Sequence, residues 1–201
     1  NKAIIKKSTP LPEVEILSAQ EAAIDSFSKT KYSCFLWNKL FKRSVLFSEH
    51  NVLILLDTDI FYSEDRLYLL QILTNVSKFV YDSQPLYYYR ENPTSASYSS
   101  MNKRYLTLLD AYDKMQLIAE KLGTEVAYEV AAFAAASGVR IFLKIVDSDF
   151  PLEPYIKRIK NKILSNFGYF IFCKNVNLRS KVCGVGTVSY THLTLPTKLE
   201  V

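Results

Sequence analysis

The sequence predicts an α/β arrangement over about the first hundred residues, followed by an all-helical C-terminal extension. Three observations carry that expectation. Short β-rich runs at Lys78–Asp82 and Leu86–Arg90 follow an apolar run of strand length at Val52–Leu56, with short helical stretches between them. From Asn102 the apolar residues switch to helical spacing and keep it to about Phe167. Composition fits a folded chain: 201 residues, 49% hydrophobic and 22% charged, suffice for one domain or two small ones.

Residues 1–12 read as a lead-in punctuated by Pro10 and Pro12. Ser18 and Glu21 have the spacing of a capping box, and Ala22, Ile24 and Phe27 continue a short helix behind it. A second short helix is expected over Cys34–Leu46, from the spacing of Leu36, Leu40 and Phe41. Ser63 reads as the N-cap of a helix with Glu64 and Asp65 in its first turn. Its apolar stripe runs through Leu67, Leu69, Leu70, Ile72 and Leu73 to about Asn75. Ser83, Gln84 and Pro85 turn the chain between the two β-rich runs, and Glu91–Ser97 is loop chemistry. Helices are then expected at about 103–122, 125–146 and 153–167, separated by Gly123 and by Pro151 and Pro154. The expected organisation is therefore residues 1–100, a helical extension over 101–187, and a tail over 188–201.

That tail is set apart by its sequence. Val188 to Thr197 matches, residue for residue, one reading frame of a transposon-end adapter used in preparing sequencing libraries, so 188–201 is expected to be non-native. With Asn1 standing where an initiator Met would, the expectation is a gene fragment cut at both ends. His192 belongs to the tail, which leaves His50 as the one native histidine and argues against Ser-His-Asp or Cys-His catalysis. Three scattered cysteines, Cys34, Cys173 and Cys183, suit a reducing compartment better than a disulfide scaffold. No apolar run approaches the length of a membrane span; Val130–Val139 is cut off by Arg140.

The chemistry concentrates around Glu64-Asp65. Two carboxylates in a first helical turn complement the positive end of the helix dipole, and that alone accounts for many such pairs. Their surroundings add a second reading. Trp37-Asn38-Lys39-Leu40-Phe41-Lys42-Arg43, Ile60-Phe61-Tyr62-Ser63-Glu64-Asp65, Pro85-Leu86-Tyr87-Tyr88-Tyr89-Arg90 and Ser95-Ala96-Ser97 occur in this order at close spacing. Over about Ser18–Ser99 this resembles the C-terminal half of the catalytic domain of family 2 glycosyltransferases, which have the GT-A fold of nucleotide-diphospho-sugar transferases. The resemblance implies that Asp65, with Glu64 beside it, is the catalytic base that deprotonates an acceptor hydroxyl. That hydroxyl then displaces a nucleoside diphosphate from the anomeric carbon with inversion.

The resemblance also implies Mg²⁺ or Mn²⁺ on the diphosphate, held by an Asp-x-Asp motif in a nucleotide-binding half that nothing before Trp37 resembles. Asp57-Thr58-Asp59 has the right letters but lies only six residues before Asp65, so it reads as loop acids, and the metal ligands are expected outside this chain. The fragment alone is accordingly expected to be inactive and its full-length parent active. Tyr87, Tyr89 and Arg90 are substrate-side candidates: alternate side chains of an extended run share a face, aromatic faces suit sugar rings, and a guanidinium suits a phosphate. Trp37 is a candidate cleft wall. Lys39 is included although its neighbours favour a structural role. The implied partners are a nucleotide-sugar donor and a saccharide or lipid-linked acceptor, in cell-surface polysaccharide or glycolipid synthesis in the cytoplasm of a bacterial-type cell.

Charge supplies the rival reading. Residues 1–153 hold 17 basic and 19 acidic side chains, whereas Pro154–Thr187 holds seven basic ones and no acid. There Tyr155, Ile156, Ile159, Ile163, Leu164 and Phe167 can form one helical face, ringed by Lys157, Arg158, Lys160 and Lys162, with Gly168–Cys173 adding apolar weight. Such a helix can lie on an anionic leaflet, placing the protein at the inner face of the plasma membrane. The alternative function is therefore a non-enzymatic module that binds nucleic acid or a membrane surface through 154–187. Nucleic acid is the weaker of the two, since no nucleic-acid motif occurs and the tyrosines concentrate away from the basic segment.

Overall fold

The computed structural model describes residues 13–28, 31–90 and 100–194. The chain order is β1 (Val14–Leu17), α1 (Ala19–Ser28), a 3-10 turn at Arg43–Leu46, α2 (Glu64–Leu73), β2 (Phe79–Asp82), a 3-10 turn at Lys103–Leu106, then α3 (Thr107–Leu122), α4 (Thr124–Val146), α5 (Glu153–Ser165), α6 (Phe167–Phe172) and α7 (Leu178–Thr194). The fold is mostly helical. Among the described residues one sheet occurs, in which β1 and β2 pair antiparallel with Val14 opposite Asp82 and Leu17 opposite Phe79.

The helical extension is present as expected, and it holds two helices beyond the three expected, α6 and α7, the second running past residue 187. The expected capping box also forms: the Glu21 carboxylate accepts from the Ser18 N–H at 2.8 Å and the Ser18 hydroxyl accepts from the Glu21 N–H at 3.2 Å. Helix α2 starts where expected, but Ser63 at its N-cap is left-handed (φ 64) and its side chain makes no cap hydrogen bond.

Several expectations for the first hundred residues are corrected. Cys34–Leu46 is not an α-helix; only its last four residues, Arg43–Leu46, take a 3-10 turn. The carbonyls of Ser33 and Phe35 accept from the Lys39 ammonium (2.6 Å each), and the Leu36 N–H donates to the Asp65 carboxylate, so these side chains take backbone groups a helix would need. Val52–Leu56 forms no strand beyond a single bridge between Phe47 and Leu53 across a tight turn, which the Asn75 amide holds by donating to the Val45 and Phe47 carbonyls. Leu86–Arg90 is extended without a ladder. Pro85 has no N–H to pair, and the Leu86 N–H turns back to the Gln84 carbonyl at 2.9 Å. Residues 1–12, the Glu91–Ser97 loop with Ser95-Ala96-Ser97, and 195–201 lie outside the described residues.

One apolar cluster runs from Leu17 through α1–α4 to Ile156, Phe170 and Val176. The segment before residue 100 and the helices after it therefore share a core. Arg66 ties them together: its buried guanidinium lies 4.5 Å from the Phe27 ring and donates to the Tyr112 hydroxyl (2.9 Å) and the Ser26 carbonyl (3.3 Å). Helix α7 runs on through residues expected to stand apart. Val188 packs against the core and the Tyr190 ring lies 5.6 Å from that of Phe142, so the tail continues α7 and meets the core at these two residues.

Candidate functional site: an aromatic stack beside Asp65

Trp37 is the centre of the site. Its ring stacks on Phe35 at 5.4 Å, and Tyr87 and Tyr89 close on it at 4.5 Å and 5.2 Å. Tyr88, between them, is 90% exposed. The two-residue alternation of an extended chain therefore operates without a sheet: Tyr87 and Tyr89 point one way and Tyr88 the other. Trp37 remains 39% exposed, so part of the stack is open to a ligand.

Beside the stack is an open hollow of about 820 Å³ between residues 31–45, α2 and the β2–Tyr87 segment. Trp37, Lys39 and Tyr87 line it. Asp65, Glu64, Tyr89 and Arg90 do not, and Arg90 lies exposed beyond Tyr89. The link to Asp65 runs through the 36–39 turn. The Asp65 carboxylate accepts from the Leu36 N–H and feels the Lys39 charge. Burial nonetheless raises its pKa, and burial raises that of Glu64 too, with the Asp65 charge adding to the effect.

Lys39 donates to the carbonyls of Ser33 and Phe35 and to Asn38 Oδ1 (2.9 Å), and its ammonium lies 5.2 Å from the Tyr32 ring. Burial pushes its pKa down to about 8, against the opposing charges of Cys34 and Asp65. It fixes the turn that carries Trp37, a structural task that also leaves its charge beside Asp65.

The loop acids do not suit a divalent metal. Asp57 forms an ion pair with Lys114, and its Oδ1 accepts the Asp59 N–H at 3.1 Å. Among the described residues no group of three His, Cys, Asp or Glu side chains is placed to hold a metal ion.

Sequence reasoning missed three contributors. Phe35 extends the stack. Lys42 and Lys78 line the hollow and form no ion pair among the described residues. Only Lys42 had a signal, its place beside Lys39 in the Trp37–Arg43 run. Lys78 enters because β2 pairs with β1, which no local pattern announced.

The basic segment is also rearranged from the sequence expectation. Ile156, Ile159 and Ile163 of α5 are buried in the core, and Arg158 and Lys162 pair with Asp110 and Asp113 of α3. The face of α5 expected to meet a membrane is thus covered by protein. No helix among the described residues is long and apolar enough to cross a membrane. No protein-family model, curated protein or solved structure matches the chain.

Proposed function

We propose that the chain carries the acceptor side of an inverting sugar transferase that uses a nucleotide-diphosphate donor. The observation that supports this reading best is the Trp37–Tyr87–Tyr89 stack, partly open and joined through the 36–39 turn to a half-buried carboxylate. Sugar rings present C–H faces that pack on aromatic faces, and two rings flanking Trp37 fix the orientation of what lies on them. Asp65 then takes the proton of the acceptor hydroxyl as its oxygen bonds to the anomeric carbon and the diphosphate leaves. A carboxylate whose pKa is raised by burial is a stronger base than an exposed one, and the Leu36 N–H and the Lys39 charge oppose that rise. Glu64 stands beside it, its own pKa raised by burial and by the Asp65 charge. Because Asp57 and Asp59 do not fit a metal, no step here passes through one.

Trp37 is the chain's single tryptophan, so its emission reports on the stack directly. Titration with a short oligosaccharide is expected to give a saturable change in that emission. Tyr87→Ala should weaken the binding about tenfold, the worth of one lost ring contact of about 1.4 kcal/mol. An emission that never saturates, or a midpoint indifferent to Tyr87→Ala, contradicts the acceptor-side reading.

A further inference from the structure

Helix α5 pairs only part of its positive charge internally, and the cations that follow it are not paired among the described residues. Of the seven basic residues in Pro154–Thr187, Arg158 and Lys162 are paired, whereas Lys157, Lys160, Lys174, Arg179 and Lys181 form no ion pair among the described residues. Three of these five, Lys174, Arg179 and Lys181, sit at the elbow where α6 ends and α7 begins.

The same elbow exposes apolar side chains. Phe172 at the end of α6 is 78% exposed, Leu178 at the start of α7 is 76% exposed, and Val182 is 64% exposed. Leu178, Val182 and Val185 follow at helical spacing and form an outward stripe. The opposite face of α7 is committed to the core: Gly184 and Thr187 are buried, and a Cβ on Gly184 would come within 2.4 Å of the Phe170 ring. Helix α7 therefore cannot roll to bury the stripe.

We infer that the α6–α7 elbow is a peripheral docking surface for an anionic lipid bilayer, with Phe172, Leu178 and Val182 entering the interface and Lys174, Arg179 and Lys181 meeting the headgroups. Charge complementarity selects this occupant: the charged residues of the chain from Phe172 to Val185 are all cations, the neighbouring Glu129 carboxylate being buried and turned to Cys173 and Asn175, and such a stripe suits a surface that is apolar below and anionic above. A protein partner would need acids opposite the lysines; a second copy would set the two cation clusters against each other. The inference is independent of the transferase reading.

The test is co-sedimentation of the full chain with phosphatidylcholine vesicles containing or lacking phosphatidylserine. Binding is expected to be at least about tenfold stronger to the anionic vesicles at about 0.1 M salt, and to fall sharply at about 0.5 M. Lys174→Gln/Lys181→Gln should cost roughly tenfold or more, since each cation contributes separately near the surface. Leu178→Glu/Val182→Glu should abolish binding while circular dichroism stays unchanged, because both side chains face outward. Equal binding to neutral vesicles, no binding to anionic ones, or indifference to the elbow variants overturns the inference. So does a chain that elutes as a dimer and becomes monomeric in Leu178→Glu/Val182→Glu, since the stripe would then belong to a second copy.

Discussion

Asp65 serves two ends at once. Its carboxylate anchors the Leu36 N–H, and burial raises its pKa. A folded-state pKa above the unfolded value means that the native chain binds the proton more tightly than the unfolded chain does. Stability from this group is therefore full below the unfolded carboxylate pKa and is lost as pH rises through the folded one. At neutral pH the ionised Asp65 is a net cost to folding. Asp65→Asn, which can still accept from Leu36, should melt at the same temperature as the native chain or higher at pH 7, and the gap should close toward pH 3 in thermal melts at matched salt. A variant that melts lower at pH 7 would make Asp65 a structural keystone. The identity of this residue was legible from its place in a first helical turn. Its tie to the 33–39 backbone was not, because a backbone N–H donor leaves no mark in the sequence.

At the scale of elements, legibility followed locality. The Ser18–Glu21 box, α2 and the long helices are decided by residues three or four apart, and they appear within a few residues of their expected bounds. Elements decided by distant partners misled. The Leu86–Arg90 run has β-rich side chains but no strand to pair with, and β1 exists because β2 lies beside it. Cys34–Leu46 has helical spacing, yet Lys39 and Asp65 withdraw its backbone groups. The α5 stripe was read correctly as apolar but its destination was not, since the acids that receive Arg158 and Lys162 lie on α3. Close approach of α6 and α7 gives a prediction of its own. Gly184→Ala must displace the Phe170 ring and should cost about 1–3 kcal/mol in urea unfolding, as overpacking does. A cost near zero would mean that α7 is not seated on α6.

At the scale of the whole molecule, one apolar core spans the chain from Leu17 to Val176, with Arg66 linking α1, α2 and α3 through Phe27, Ser26 and Tyr112. The expected boundary near residue 100 follows the change of sequence period, but packing ignores it. Urea unfolding followed by Trp37 emission, which reports the first hundred residues, and by far-UV circular dichroism, dominated by the later helices, should therefore give coincident transitions. Two separated midpoints would restore the boundary. The acceptor-side account itself rests on Asp65, and its most direct test is sugar transfer by a polypeptide that joins these residues to a nucleotide-binding half. Asp65→Asn should lower turnover by about a thousandfold, the scale of a lost general base, with acceptor binding at Trp37 unchanged, while Glu64→Gln should stay within about tenfold. Near-native turnover in Asp65→Asn would contradict the account.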